Sequence, residues 1–116
     1  MLPDSDRTRI HHMIEAALQA KSFLQGRKPS DLETDAQLRL ALLRALEVLG
    51  EAASRVSQET RAANPQIPWQ RLVSTRNRLI HAYFDIDLEI VWTTASHSVP
   101  ELVPTLKAIL ELENPE

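Results

Sequence analysis

The sequence contains no cysteine, only two glycines, Gly26 and Gly50, and an aromatic fraction of 4%. Without cysteine, disulfides, thiolate catalysis and Cys-ligated zinc are excluded. So few glycines supply few tight turns, which argues against a sheet of many short strands. The charged first residues lack the apolar core of a signal peptide, and no run approaches the roughly 18 apolar residues of a membrane span. We therefore expect a cytoplasmic protein that does not enter a membrane.

Hydrophobic residues nevertheless make up 43% of the 116 residues. With so few aromatic residues, a core must consist mainly of Leu, Ile, Val and Ala, a composition typical of helical bundles. The length suits one domain with a single modest core. The sequence therefore predicts one all-α domain over residues 1–116, an up-and-down bundle of four to five helices.

The first two helices are predicted from apolar spacing and capping residues. The first starts near Asp4, Ser5 or Asp6 as its cap and runs to Gly26. Ser30 followed by Glu33 is typical of a capping box and predicts the start of the second helix.

The second helix is predicted to be the longest and the most central. Its broad apolar stripe consists of Leu38, Leu42, Ala45, Leu46, Leu49, Ala52, Ala53 and Val56, widened by Leu40, Ala41 and Leu43. A helix that is apolar on so much of its surface is expected to lie inside a bundle. Gly50 inside it lowers helix stability by about 1 kcal/mol relative to alanine. This suggests either a close approach by another element or a neutral substitution without a structural reason.

Three further helices follow the Asn64–Pro68 break. Pro68 suits the first turn of a helix over residues 69–84, because proline lacks the amide hydrogen that would be unpaired there. Asp87 is predicted to cap a fourth helix that begins at residue 88 and ends near 97 or 98. Pro100 is predicted to start the last helix, which ends at Asn114-Pro115.

The charge is distributed unevenly along the chain. The net charge is −3, yet residues 65–84 carry three arginines and one histidine with no acid, whereas residues 85–116 carry seven acids against Lys107. The basic stretch coincides with the predicted third helix. This helix is therefore the best candidate for contact with a polyanion.

The third helix also carries an unusual set of polar residues. Arg76 lies on the apolar stripe that contains Leu72 and Leu79, and Asn77 is one helical turn before His81. Arg76 and His81 diverge by about 140°, so one helix does not easily aim both side chains at the same atom. In a two-fold dimer that brings two such helices together, a second copy completes the site.

Histidine and arginine in one cleft are suited to RNA cleavage. Histidine transfers protons near neutral pH, and arginine stabilises a developing negative charge without losing its own. RNA supplies its own nucleophile, the 2′-hydroxyl group. This set needs no cofactor and no metal ion, and it leaves a cyclic phosphate on one product.

The pattern Arg-x4-His-x-Tyr, formed by Arg76, His81 and Tyr83, resembles the signature of the HEPN superfamily, specifically of HepT-like toxins. The segments 46–52 (Leu-Glu-Val-Leu-Gly-Glu-Ala), 67–69 (Ile-Pro-Trp) and Val91-Trp92 also resemble that family. Together these matches cover most of the chain from Leu38 onward.

This resemblance implies a homodimeric endoribonuclease toxin that is paired with a nucleotidyltransferase antitoxin. It implies that Arg76 and His81 are catalytic, that Asn77 supports them or positions RNA, and that the antitoxin transfers AMP to Tyr83. An AMP group there would put bulk and negative charge where an RNA phosphate must bind.

Other interpretations of the same residues remain open. The main alternative is a non-catalytic module that binds a nucleotidyltransferase or a nucleotide through the same groove. Arg71 and Arg78 are either phosphate contacts or solvated charges. Glu47 and Glu51 either pair with Arg44 and Arg55 or point toward the basic cleft. His11, His12 and Glu15 are interpreted as surface residues rather than a metal site.

Overall fold

The computed structural model describes residues 2–81 and 86–112, and the regular structure in these ranges is entirely helical. This confirms the all-α prediction. Within these ranges no helix is both long enough and apolar enough to cross a membrane. The helices are α1 (Asp4–Phe23), α2 (Asp31–Thr34), α3 (Ala36–Ser54), α4 (Gln58–Ala63), α5 (Trp69–His81), α6 (Leu88–Thr93), a π-helical turn (Thr94–Ser98) and α7 (Val99–Leu112).

The long helices pack side by side in the order α5, α3, α1, α7. Helix α3 contacts α1 on one side and α5 on the other, so the prediction that it is central is confirmed. Its buried residues include Leu42 and Leu49, which are fully covered, whereas Leu40 is exposed. The apolar stripe is thus narrower than predicted. Helix α5, which carries the candidate site, lies at the outer edge of this row.

The predicted caps of the first two helices are wrong. Helix α1 has Pro3 at its N-cap position and no side-chain cap, and Asp6 is instead buried against α4. Ser30 precedes only the short helix α2, and its side chain makes no capping hydrogen bond. The long helix α3 begins after Asp35, which accepts a hydrogen bond from the backbone N–H of Leu38 at 3.1 Å. Asp35 satisfies a first-turn amide as an N-cap residue should.

The Asp87 cap is confirmed, because its side chain accepts hydrogen bonds from the backbone N–H groups of Glu89 and Ile90. The helical structure does not end near residue 97 as predicted but continues through the π-helical turn into α7. In the π-helical turn, the backbone N–H of Val99 donates to the carbonyl of Thr94. Pro100 explains the wider turn, since proline has no amide hydrogen and its ring clashes with a carbonyl four residues earlier. The predicted helix ends at Phe84 and Asn114-Pro115 lie outside the described residues.

Candidate active site

Gly50 allows α5 to lie unusually close to α3. A Cβ atom built on Gly50 would be 2.3 Å from the Cβ of Arg76 and 2.7 Å from the carbonyl oxygen of Leu72. Neither atom belongs to the free end of a flexible side chain, so a larger residue would push the two helices apart. The close approach suggested by Gly50 is therefore confirmed, and its partner is the helix turn that carries Arg76.

Arg76 is held at this interface. Its side chain is 22% exposed, and its Nη1 atom lies 3.2 Å from Oε2 of Glu51, the residue that follows Gly50. The buried Nε–H group has no hydrogen-bond partner in the described part of the chain. Leu72 and Leu79, on the same stripe of α5, are buried as predicted. The ion pair with Glu51 thus orients a largely buried guanidinium group.

Glu51 joins two arginines. Its Oε1 atom accepts a hydrogen bond from Nε of Arg55 at 2.9 Å, while Oε2 faces Arg76. The hydrogen bond from Arg55, assisted by the positive charges of Arg55, Arg76 and Arg9, lowers the pKa of Glu51 against a smaller opposing effect of burial. Glu51 is therefore ionised at neutral pH.

The two glutamates of α3, Glu47 and Glu51, were expected either to pair with Arg44 and Arg55 or to point toward the basic helix. Glu47 pairs with Arg44 at 3.4 Å, as the first expectation states. Glu51 pairs with Arg55 and also faces Arg76, so it combines the two. Its link to Arg76 could not be found from spacing along one helix, because the two residues belong to different helices.

The face of α5 that points away from α3 is polar and carries no acid. Its exposed residues are Gln70, Arg71, Ser74, Asn77 and Arg78. Arg78 and Thr75 also line a cleft with Leu46 of α3 and with Ile90 and Val91 of α6. The helix therefore presents positive charge to the solvent while Arg76 is anchored behind it.

The structure describes the predicted site residues to different extents. Arg76 lies at the α3–α5 interface, and Asn77 is exposed on the neighbouring side of the helix. His81 is the last residue of α5, but its side chain lies outside the described part, as does all of Tyr83. The juxtaposition of Arg76, Asn77, His81 and Tyr83 remains a prediction.

The remaining polar residues give no sign of a metal centre. Within residues 2–81 and 86–112, no three His, Asp or Glu side chains are grouped so that they could hold a metal ion. His11, His12 and Glu15 are exposed on α1. Trp69 is buried at the start of α5, and its indole N–H donates to the carbonyl of Asn64 at 2.9 Å. It fixes the entry to α5 rather than offering a free stacking surface.

Comparison with known families identifies the family of this chain. Residues 13–109 match the family described as ribonuclease HepT-like. The chain belongs to this family. The matched range of the HepT-like chain contains Gly50, Glu51, Arg76, His81 and Tyr83, so both the α3 segment and the motif helix fall inside it.

Several proteins resemble this HepT-like chain over most of its length. A protein of Thermococcus cleftensis named “Probable ribonuclease HepT” is 36% identical over 98 residues, 84% of this chain and 89% of the relative. A protein of Caldanaerobacter subterraneus, named as a candidate RNase, is 35% identical over 107 residues, 92% of this chain and 96% of the relative. Another candidate RNase, from Methanocaldococcus jannaschii, is 31% identical over 93 residues, 80% of this chain and 85% of the relative. No solved structure matches the chain significantly.

Proposed function

We propose that this protein is a metal-independent endoribonuclease that acts as a homodimer, with Arg76 and His81 as its catalytic residues. The observation that carries the proposal is the placement of Arg76, a largely buried arginine fixed by Glu51 on a helix whose outer face is basic. The relatives named as ribonucleases support the same activity. RNA is the substrate because the proposed chemistry uses its 2′-hydroxyl group.

The proposed reaction is an internal transesterification. The 2′-oxygen forms a bond to phosphorus while the bond from phosphorus to the 5′-oxygen breaks. One His81 accepts the 2′-hydroxyl proton and then, as an imidazolium, donates a proton to the leaving 5′-oxygen. Arg76 stabilises the extra negative charge on the phosphorus oxygens. The products carry a 2′,3′-cyclic phosphate and a 5′-hydroxyl group.

A homodimer is part of the proposal for a geometric reason. Residues five apart on an ideal α-helix, as Arg76 and His81 are, diverge by about 140°, whereas the outer position of α5 leaves its polar face open to a second copy. In such a dimer, Arg76 of one protomer and His81 of the other would line one cleft. Asn77, beside Arg76 and one turn before His81, would position the imidazole or an RNA phosphate.

The proposed biological context is a toxin–antitoxin pair. A nucleotidyltransferase antitoxin would transfer AMP to Tyr83, two residues after His81, and the added phosphate would repel RNA from the cleft. The active toxin would work in the cytoplasm, where RNA is available. This context follows from the motif resemblance, and the proposed ribonuclease activity does not depend on it.

The test compares four variants on labelled RNA in excess chelator. Arg76→Ala and His81→Ala are expected to lose cleavage by about 100-fold or more, because each removes a group that acts in the transition state. Arg44→Ala, a variant on α3, has the same net charge as Arg76→Ala and is expected to cleave RNA as the wild type does. Arg71→Ala, a candidate phosphate contact, is expected to weaken RNA binding only modestly. Equal cleavage by all four variants would refute the assignment.

The engagement of Arg76 by Glu51 favours a second candidate function. An arginine already paired with a carboxylate could simply join α3 to α5 in a module that binds a nucleotidyltransferase or a nucleotide. Under this alternative the wild type cleaves no RNA, so Arg76→Ala and His81→Ala have no cleavage to lose. Cleavage by the wild type that disappears in His81→Ala decides for the enzyme.

A further inference from the structure

The negative charge of Glu51 is unfavourable on a surface that is proposed to bind RNA, so its presence there requires an explanation. It lies 3.2 Å from the guanidinium group of Arg76, where its negative charge opposes the approach of a phosphate. Electrostatics alone therefore predicts that Glu51 weakens RNA binding. A benefit to catalysis must come from its effect on Arg76.

Geometry supplies such an effect. Gly50 brings the backbone of α3 against the Cβ of Arg76, and Glu51 then meets the far end of the same side chain. The arginine is thus fixed at both ends, at its root by packing and at its tip by an ion pair. Its Nε–H has no partner among the described residues, so the tip contact has much of the responsibility for orientation.

Glu51 is itself held in place. Arg55, one turn further along α3, donates from Nε to the second oxygen of the carboxylate at 2.9 Å. The carboxylate therefore has one oxygen for each arginine. Arg55 is 56% exposed and Glu51 is 44% exposed, so neither contributes much to the core. A role in stability alone would be worth little at such exposure.

We infer that Glu51 is a positioning residue for the proposed ribonuclease: with Gly50 behind it and Arg55 on its other oxygen, it holds Arg76 in the orientation that meets the phosphate. The inference rests on the proposed function. Preorganised donors act because they need not reorient as charge develops. Loss of this support is expected to lower the rate of the chemical step and not the affinity for RNA.

The chain offers a matched control. Glu47 lies one turn before Glu51 on the same helix and pairs with Arg44 at 3.4 Å, so Glu47→Gln removes the same charge and the same type of ion pair without touching Arg76. Glu51→Gln and Glu47→Gln are compared by cleavage at saturating and limiting RNA. Glu51→Gln is expected to lower kcat on the order of 10- to 100-fold with KM unchanged or lower. Glu47→Gln should keep the wild-type kcat.

A conservative substitution that keeps the carboxylate provides a further check. Glu51→Asp keeps the charge but shortens the side chain, and it should recover part of kcat, more than Glu51→Ala does. If Glu51→Gln retains the wild-type kcat, or if Glu51→Gln and Glu47→Gln lose equally, the positioning role is refuted.

A readout without activity separates this inference from the proposed function. The Nη–H signals of Arg76, the group that faces Glu51, are assigned in NMR spectra by their absence in Arg76→Lys, and they should exchange slowly with water in the wild type and in Glu47→Gln. In Glu51→Gln they should exchange at least several-fold faster. A wild type that cleaves no RNA defeats the proposed ribonuclease, and the exchange rates then still decide whether Glu51 holds Arg76. Equal exchange in all three proteins refutes the positioning role.

Discussion

At the residue scale, the site depends on one glycine and one ion pair. Gly50 carries no side chain where Arg76 and the Leu72 carbonyl approach α3, and Glu51 pairs with the guanidinium group that this approach brings near. The close approach to Gly50 could be predicted, because glycine inside a helix is unfavourable without a reason. Its partner could not, because apolar spacing does not specify which helices are neighbours.

Helix propensity and side-chain packing predict opposite effects of Gly50→Ala on the stability of the protein. Helix propensity alone predicts that alanine stabilises α3 by about 1 kcal/mol. The added Cβ, 2.3 Å from the Cβ of Arg76, instead predicts a net loss of about 1–3 kcal/mol through overpacking. Urea unfolding measures the sign. Gln37→Ala, at an exposed position of the same helix, serves as the control and should change stability by less than about 0.5 kcal/mol. An increase in stability for Gly50→Ala would contradict the packing described above.

At the element scale, the sequence predicts long helices better than their ends. Asp87 was identifiable as a cap because its side chain bonds to amides within its own first turn. The contact of Asp6 with α4 was not identifiable, because its hydrogen-bond partners, Ser57 and Thr60, are more than 50 positions away in the sequence. The helix was predicted to end before Pro100 because proline interrupts the α pattern, whereas the chain absorbs the interruption as a π-helical turn.

Asp6 fastens α1 to α4. It is buried and accepts hydrogen bonds from the backbone N–H and hydroxyl group of Ser57, at 2.9 and 2.6 Å, and from the hydroxyl group of Thr60 at 2.5 Å. Burial raises the pKa of Asp6, but the hydrogen bonds from Ser57 and Thr60 and the charge of Arg61 outweigh it, so the net pKa is lowered.

Asp6→Asn should therefore destabilise the protein by about 1–3 kcal/mol at pH 7, because an amide cannot accept all of these hydrogen bonds. A carboxyl group with a lowered folded-state pKa contributes its stability above its unfolded pKa, near 3.9, and loses it as the pH falls through the folded value. The difference in the free energy of unfolding between the wild type and Asp6→Asn should thus shrink below about pH 4. Chemical unfolding at several pH values measures it, with exposed Asp4→Asn as control. Equal losses in the two variants would show that Asp6 is not a fastening residue.

At the scale of the whole molecule, position in the bundle explains what the sequence could predict about function. The motif helix α5 lies at the edge of the row, packed on α3, with a basic face directed outward. Charge distribution and the Arg-x4-His-x-Tyr pattern identify this helix from the sequence. The contact between Glu51 and Arg76, and the proposed second copy that would complete the cleft, depend on three-dimensional neighbours and cannot be derived from periodicity.

The central claim, a composite Arg76/His81 site made by two protomers, is tested most directly with mixed dimers. Arg76→Ala and His81→Ala chains carrying different tags are co-expressed, and heterodimers are purified through both tags. Each heterodimer should hold one complete site out of two and cleave RNA in excess chelator at about half the wild-type rate. Doubly tagged Arg76→Ala dimers serve as the inactive control. Recovery of cleavage to that level would support the composite ribonuclease, and heterodimers as inactive as the control would contradict it.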